Sequence, residues 1–313
     1  MANYLVIGGA GFIGSHLVEA LVQRGHSVRV LDDLSFGSRE NLAMVAPRME
    51  WIEGDASSSA AVSAALKGID GVFHLASTSS VQLSMEDPLR NLRSGEEAML
   101  NVLDQCRKTR VRRLVYSSSA AVYGDFPEHP KHEQLQVQPC SVYAVSKAAG
   151  ELYAKVFAAT GGPDTASLRY FNVFGPRQRP SSPYSGVISI FLDCLRRKTA
   201  PVIYGDGLQT RDFISVHDVV HANILAMEHR DALGGECFNV ATGRSVTILE
   251  VWNELCRIAG NRIEPKFAEL RKGDIRMSSA SIEKIGKTLG FSPMKKFSDA
   301  LRALAETVLG KST

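Results

Sequence analysis

Three side chains in this sequence have the types and spacing to move a proton together. A strand pattern at Arg113–Ser117 runs on into Ser118 and Ser119, and later Tyr143-Ala144-Val145-Ser146-Lys147 falls in a helical pattern. Tyr143 and Lys147 are four residues apart, which on a helix puts them one turn apart on the same face. A free phenol, with a pKa of about 10, is a poor base at neutral pH. An ammonium ~6 Å away, at an effective dielectric of about 20, stabilises the phenolate by roughly 2.8 kcal/mol, about two pKa units. Roughly three are wanted, so the reading calls for a second positive charge in the site. Ser119, at the C-terminal edge of its strand, is placed to hydrogen-bond a substrate hydroxyl and turn it toward Tyr143.

The second constellation is Gly8-Gly9-Ala10-Gly11-Phe12-Ile13-Gly14, which follows the strand pattern Tyr4–Ile7 and opens a helix with Ile13, Leu17, Ala20 and Leu21 on one face. Glycines at this turn let the backbone bend tightly and approach a pyrophosphate, whose charge the helix N-terminus stabilises. Gly8, Gly11, Phe12, Ile13 and Gly14 are therefore the candidate contacts to a dinucleotide. The next strand, Ser27–Leu31, ends at Asp32-Asp33. A carboxylate there accepts hydrogen bonds from the adenosine ribose and repels a 2′-phosphate, so NAD is expected in preference to NADP. Asp32 is favoured over Asp33 because it follows the last apolar strand residue directly. An oxidised nicotinamide would also bring the missing positive charge to Tyr143.

These side chains need a scaffold, and the first half of the chain supplies an alternating one. Strand patterns at Tyr4–Ile7, Ser27–Leu31, Glu50–Glu53, Gly71–Leu75, Arg113–Ser117 and Thr165–Tyr170 are continuous and apolar, as parallel strands covered on both faces should be. Helical stretches at Gly14–Arg24, Ala60–Leu66, Pro88–Lys108 and Val142–Ala159 lie between them. This rhythm predicts an α/β fold, a Rossmann-type doubly wound parallel sheet. After Arg169 the pattern changes: a Pro-, Gly- and Ser-rich loop at Phe174–Gly186, a helix at Val187–Arg197, strands at Val202–Tyr204 and Phe238–Ala241, and a helix at His217–His229. The expected division is residues 1–170 plus 213–241 for the dinucleotide, with 171–212 plus 242–313 as a smaller, interleaved substrate domain.

Composition narrows the classes. The chain has 313 residues, 44% hydrophobic and 22% charged, with 36 basic and 33 acidic residues for a net charge of +3. That balance argues against a general nucleic-acid or membrane-surface binder. Five scattered cysteines without a Cys-x-x-Cys pair speak against a disulfide framework or zinc site, and no metal is expected. No apolar run approaches the ~18 residues of a spanning helix, and no signal peptide is read, so a cytoplasmic protein is expected. Residues 262 to 302 carry ten basic and five acidic residues, a local excess that suggests either an anionic ligand or a solvated basic face.

With these motifs in place, the chain resembles the extended short-chain dehydrogenase/reductase family, in particular its nucleotide-sugar 4-epimerases. The resemblance runs from Tyr4 to Gly290. It includes Gly54-Asp55, His74-Leu75-Ala76, Ser117-Ser118-Ser119-Ala120-Ala121-Val122-Tyr123-Gly124, Arg169-Tyr170-Phe171-Asn172-Val173-Phe174-Gly175-Pro176-Arg177-Gln178, Tyr204-Gly205-Asp206-Gly207 and Gln209-Thr210-Arg211-Asp212-Phe213. It implies an NAD that is bound and not consumed. Tyr143 would take the proton from the sugar 4-hydroxyl as the C4 hydride moves to NAD, and the 4-keto sugar would turn and be reduced on its other face. By the same resemblance Asp55 meets the adenine, and Ala56, Leu75 and Ala76 line the cofactor. Asn172, Arg211 and Arg271 hold the substrate diphosphate, and Asp274 reaches the uridine ribose. His74 would support the cofactor loop. A homodimer is implied, through helices corresponding to Pro88–Lys108 and Val142–Ala159.

Subfamily differences refine this reading. The family's 4,6-dehydratases place Asp-Glu after the catalytic hydroxyl, where this chain has Ala120 and Ala121. Related decarboxylases carry Thr at the Ser119 position and Glu at the Ala121 position. Uronate 4-epimerases often show Thr at Asn172, and Asn172 followed by Ser181-Ser182-Pro183-Tyr184-Ser185-Gly186 is more similar to neutral and N-acetylated hexose enzymes. Ser278 matches the place where strict UDP-glucose/galactose enzymes carry a bulky Tyr. The expected substrates are UDP-N-acetylglucosamine/galactosamine alongside UDP-glucose/galactose, in polysaccharide or nucleotide-sugar supply. A uronate 4-epimerase, a sugar-nucleotide oxidoreductase and a non-catalytic NAD sensor remain the alternatives. Two departures stand out: Gly95 where the family places Asn, and Ser281 where it places Asp.

Overall fold

The computed structural model describes residues 1–78, 80–178, 186–270 and 275–310. Its centre is a seven-stranded sheet in which every pair is parallel. In chain order the strands are β1 (Asn3–Ile7), β2 (Ser27–Asp32), β3 (Met49–Glu53), β4 (Gly71–His74), β5 (Arg113–Ser119), β6 (Asp164–Tyr170), β7 (Asn172–Phe174), β8 (Val202–Tyr204), β9 (Thr210–Ser215), β10 (Glu236–Val240), β11 (Ser245–Thr247) and β12 (Lys266–Ala268). The large sheet runs β10-β6-β5-β4-β1-β2-β3. Chain order reverses between β1 and β4, which opens a crevice at the carboxyl ends of those strands, the usual ligand site of such sheets.

Helices cover both faces: α1 (Phe12–Gln23), α2 (Ser59–Ala65), α3 (Val81–Glu86), α4 (Pro88–Leu92), α5 (Ala98–Thr109), α6 (Val142–Ala159), α7 (Val187–Arg197), α8 (Val216–Glu228), α9 (Ile248–Ala259), α10 (Glu283–Leu289) and α11 (Phe297–Leu309). Leu17, Leu21, Val30, Phe73, Leu168, Ile224 and Met227 form the core on the α1 and α8 side. Leu5, Leu31, Val62, Leu103 and Leu114 form it on the α2, α5 and α6 side. Double coverage is why these strands are uninterrupted apolar runs.

The stretch read as one helix, Pro88–Lys108, is broken. Asp87 caps α4 by accepting from the Arg90 N–H at 3.0 Å, and residues Arg93–Glu97 then form a π-helical turn before α5 begins. Gly95 lies in that turn, where an added Cβ would come 2.8 Å from Ser146 Oγ on α6. Close helix approach therefore accounts for the glycine. The sequence pattern also missed α3 and the short strands β7, β9, β11 and β12.

Beyond β6 the chain builds a second cluster, with Phe191, Trp252, Leu255 and Leu301 among α7, α9 and α11. Trp252 is fully buried, meets Phe191 edge-on at 5.1 Å and donates to the Ile263 carbonyl at 2.9 Å. The chain returns to the large sheet at β10. Residues Ile285, Leu289 and Phe291 of the later α10 region also pack into the core beneath that sheet. All five cysteines are free thiols. Among the described residues no helix is long and apolar enough to cross a membrane.

Candidate active site

The crevice at the β1/β4 switch point is a cavity of about 700 Å³, and the catalytic and cofactor residues predicted from sequence converge on it. Gly8, Gly11, Phe12, Ile13, Gly14, Asp32, Asp55, Ala56, Leu75 and Ala76 all line it, as do Ser119, Tyr143 and Lys147.

The glycine loop is shaped by close approach. Gly8 has φ +82°, and a Cβ there would meet the Ala76 N at 2.6 Å, so β1 and β4 could not close together with a side chain between them. At Gly14 a Cβ would lie 2.1 Å from the Gly8 carbonyl oxygen, inside the turn itself. Gly11 stands at the N-cap of α1 and makes no side-chain cap, so nothing but backbone covers the first N–H groups of the helix.

Asp32 ends β2 almost fully buried, accepting from the Ala10 N–H at 2.9 Å and the Leu34 N–H at 2.8 Å. Burial raises its carboxyl above the ordinary range, and those two donors pull the other way. A carboxylate at the strand end, an uncapped helix N-terminus and apolar walls at Ile7, Leu31 and Ala98 fit a dinucleotide.

On the opposite wall, β5 and α6 present the predicted proton-transfer group. Ser141 caps α6 by accepting from the Ala144 N–H at 3.1 Å, which sets the first helical turn at Tyr143. The Tyr143 N–H donates to Ser84 Oγ at 3.0 Å, tying α6 to α3. Lys147 Nζ donates to the Ser117 carbonyl at 2.6 Å and lies 5.8 Å from the centre of the Tyr143 ring. Burial sets the protonation of both. It raises the Tyr143 phenol above its ordinary value, against a hydrogen bond with Ser119 that lowers it. It lowers the Lys147 ammonium to about 7, against the Glu151 carboxylate, which raises it. The expected phenol activation by Lys147 alone is therefore outweighed by desolvation in the protein. The site thus still calls for a further positive charge, the role expected from sequence for an oxidised nicotinamide. His74 is buried beside Tyr116 and pushed down to about 3, which keeps it neutral and leaves it a supporting group.

Of the predicted substrate contacts, Ser119 and Tyr143 lie on this lining, whereas Asn172, Arg211 and Ser278 do not. Asn172 donates to the Asp212 carbonyl at 3.2 Å, and Arg211 donates to the Thr210 and Ile275 carbonyls at 2.8 and 2.6 Å. Ser278 pairs through its backbone N–H with the Thr210 carbonyl at 3.2 Å. The three gather around β9. Arg271 and Asp274 lie outside the described residues, as does the run Ser181–Ser185. Of the basic excess near the C-terminus, Arg276 is paired in two contacts with Asp206 at 2.7 and 2.9 Å, while Arg262, Lys284 and Lys287 pair with Glu264, Glu236 and Glu283.

The cavity also takes in residues given no role from sequence: Phe36, Arg90, Arg93, and Tyr170 and Arg177 of the motif that runs from Arg169 to Gln178. The Arg90 guanidinium sits 5.4 Å over the Phe36 ring, and Arg177 bonds Ser15 at 3.1 Å and Glu19 at 2.5 Å on α1. Nothing in their spacing marks them until α4 and the loop after Phe174 are folded against the glycine turn.

Residues 4–241 match the model of the NAD dependent epimerase/dehydratase family. The chain belongs to that family. NAD is its cofactor. It is 35% identical over 317 residues to UDP-glucose 4-epimerase of Mycolicibacterium smegmatis, covering 98% of this chain and 99% of that one. Among solved structures it is similar to a UDP-N-acetylglucosamine 4-epimerase from Methanobrevibacter ruminantium in complex with UDP-N-acetylmuramic acid. That match has TM-score 0.94 and 39% identity, covering 99% of each chain. It is also similar to Thermus thermophilus UDP-glucose 4-epimerase in complex with NAD. Here the TM-score is 0.89 at 35% identity, over 99% of this chain and 100% of that one.

Proposed function

We propose that this isomerase is a UDP-sugar 4-epimerase that interconverts UDP-N-acetylglucosamine with UDP-N-acetylgalactosamine and UDP-glucose with UDP-galactose. The observation that carries the reading is the joint placement of Ser119, Tyr143 and Lys147 on the cavity of the glycine loop. Ala120 and Ala121 follow Ser119 in the turn after β5, where neither can transfer a proton for dehydration.

Gly8, Gly11, Phe12, Ile13 and Gly14 would hold the pyrophosphate of NAD, and Asp32 the adenosine ribose, with Asp55, Ala56, Leu75 and Ala76 walling the rest. Bound NAD supplies reversible hydride acceptance at the sugar C4. Ser119 orients the 4-hydroxyl, and Tyr143 Oη accepts its proton and later returns it. Lys147, anchored on the Ser117 carbonyl, keeps a positive charge beside that oxygen. Asn172, Arg211, Arg271 and Asp274 are proposed to hold the UDP moiety, guanidinium forks suiting a diphosphate, and Ser278 to leave room for a 2-acetamido group. The division proposed with it is 1–170 plus 213–241 against 171–212 plus 242–313, with Ile285, Leu289 and Phe291 of the second unit packing back into the core of the first. Incubating the purified protein with each UDP-sugar, without added cofactor, and following C4 epimers by NMR tests the assignment. Accumulation of reduced cofactor with no epimer would overturn it.

A homodimer is proposed on a second observation. Val145, Leu152 and Val156 are exposed at helical spacing on α6, and Leu89, Leu92 and Leu100 are exposed on α4 and α5. Apolar stripes on neighbouring helices suit a twofold helix bundle, and light scattering of the purified protein decides it.

A further inference from the structure

Glu151 is a charged side chain that the reaction as described does not use. It lies four residues beyond Lys147, on the same face of α6, and the two are anchored on neighbouring residues of β5. Lys147 Nζ donates to the Ser117 carbonyl at 2.6 Å, and Ser118 Oγ donates to Glu151 Oε1 at 2.5 Å. From β6, Arg169 grips the same carboxylate with both arms, Nε to Oε1 at 2.9 Å and Nη2 to Oε2 at 2.7 Å. Arg169 in turn donates to the Tyr123 phenol at 2.9 Å, and Tyr123 donates to Asn239 Oδ1 at 2.7 Å. All of these groups are buried. A buried ion pair of this kind does not by itself stabilise a fold over an apolar replacement, so its position beneath Lys147 asks for another explanation.

The groups facing Lys147 come from three elements. Its own helix brings Tyr143 and Glu151, β4 brings His74, and β5 brings Tyr116 with its ring 5.1 Å from Nζ. From β6, Arg169 meets Glu151, and Tyr170 interacts with Tyr143. Glu96 of the π-helical turn is drawn to the Ser146 hydroxyl, from which it accepts at 2.5 Å. His74 is neutral, and the phenols of Tyr116 and Tyr170 are held protonated by burial. Glu151 is left as the carboxylate able to oppose the loss of the Lys147 proton.

We propose that Glu151 is a positioning residue whose carboxylate, fixed by Ser118 and Arg169, keeps Lys147 in its ammonium form beside Tyr143. The inference rests on the epimerase reading of this site.

The test is the pH profile of kcat for the wild type, Glu151→Gln, Glu151→Asp and Tyr123→Phe, with thermal melting across the same range. In Glu151→Gln the alkaline limb moves to lower pH by about one unit, the effect of a unit charge ~10 Å away at an effective dielectric of about 20. kcat falls with it, while KM for the UDP-sugar stays. Glu151→Asp moves the limb in the same direction by less, and decides the matter alone if the glutamine variant does not fold. Tyr123→Phe loses two buried hydrogen bonds and melts earlier, yet leaves the limb where it was. Superimposable limbs in the wild type and either Glu151 variant overturn the proposal.

If the wild type turns over no UDP-sugar, the epimerase reading fails, and melting still reports on Glu151. Lys147 titrates lower in the folded protein than in the unfolded chain, so stability rises with pH between those two values. Glu151→Gln extends that rise to lower pH, and an unchanged profile counts against the proposal.

Discussion

Lys147 hydrogen-bonds the Ser117 carbonyl at 2.6 Å and not the Tyr143 phenol, whose ring centre is 5.8 Å from Nζ. The lysine thus acts on the tyrosine through its field, and the phenolic oxygen stays free for substrate and Ser119. Tyr143→Phe removes the proposed proton acceptor and little else, since the ring still fills its place on the cavity wall. Turnover should fall by about 10²–10⁴-fold, the range for loss of a general acid–base group. Bound NAD, read by absorbance after denaturation, should remain at wild-type occupancy. Retained epimerisation would end the assignment of Tyr143.

Asp32 joins two parts of the cofactor site, because its carboxylate accepts from Ala10 in the glycine loop and from Leu34 beyond β2. Asp32→Ala should weaken NAD binding about tenfold or more, each lost hydrogen bond to a charged group being worth roughly 1.5–3 kcal/mol. It should also raise the NADP-to-NAD affinity ratio, since the repulsion of a 2′-phosphate goes with the charge. Because burial raises the Asp32 carboxyl, it takes up a proton at a higher pH than in the unfolded chain. Wild-type NAD affinity should therefore decline as the pH falls into the carboxylate range, and the Asp32→Ala variant should lose that dependence. Fluorescence titration with both cofactors measures all three.

The elements that carry this site were legible because they are covered on both faces, which writes them as unbroken apolar runs. β5 runs through Ser118 to Ser119, as the sequence pattern predicts, with Ser118 bonded to Glu151 and Ser119 to Tyr143. The strands missed are short or partly exposed, and β9 carries Arg211 and Asp212, which strand patterning counts against. Asp212 is nevertheless fully buried, accepting from the Thr242 N–H at 2.8 Å and its hydroxyl at 2.6 Å. Such a partner, thirty residues away in sequence, has no local signal. The π-helical turn at Arg93–Glu97 was invisible for a similar reason, since Gly95 has its explanation in Ser146 on another helix.

Gly14→Ala would add a methyl group 2.1 Å from the Gly8 carbonyl, a backbone atom that cannot move aside as a side-chain tip can. The glycine turn must open, at a cost of about 1–3 kcal/mol in line with overpacked sites. The larger effect should fall on the cofactor, because the same turn aims the first N–H groups of α1. The protein is expected to purify folded but largely stripped of NAD, with activity recovered only at high added cofactor. Full NAD occupancy in this variant would show that the loop tolerates the change.

Arg113 bears on how the returning segment is held to the sheet. It is buried at the start of β5, pairs with Asp164 through Nε at 2.8 Å and Nη2 at 2.7 Å, and donates to the Ala226, His229 and Asp231 carbonyls at the end of α8. Arg113→Met removes the ion pair of Asp164, which keeps its Leu233 and Gly234 N–H donors, and leaves several buried carbonyls without this partner, so stability should drop by about 3 kcal/mol. If residues 213–241 belong to the cofactor unit, unfolding should remain one cooperative transition at lower denaturant. Separation into two transitions, with α8 released first, would count against that domain division.

Ser278 is the position proposed to set sugar size. Its backbone is fixed, with the N–H on the Thr210 carbonyl and its own carbonyl accepting from Ser245 Oγ at 2.9 Å, so a substitution changes the side chain without releasing the segment. Ser278→Tyr would fill the space left for a 2-acetamido group. kcat/KM for UDP-N-acetylglucosamine should fall by about tenfold or more, while UDP-glucose, which has only a hydroxyl at C2, should change little. The ratio of the two values, taken in one competition assay, removes any general loss of stability from the comparison. An unchanged ratio would show that Ser278 does not face the sugar.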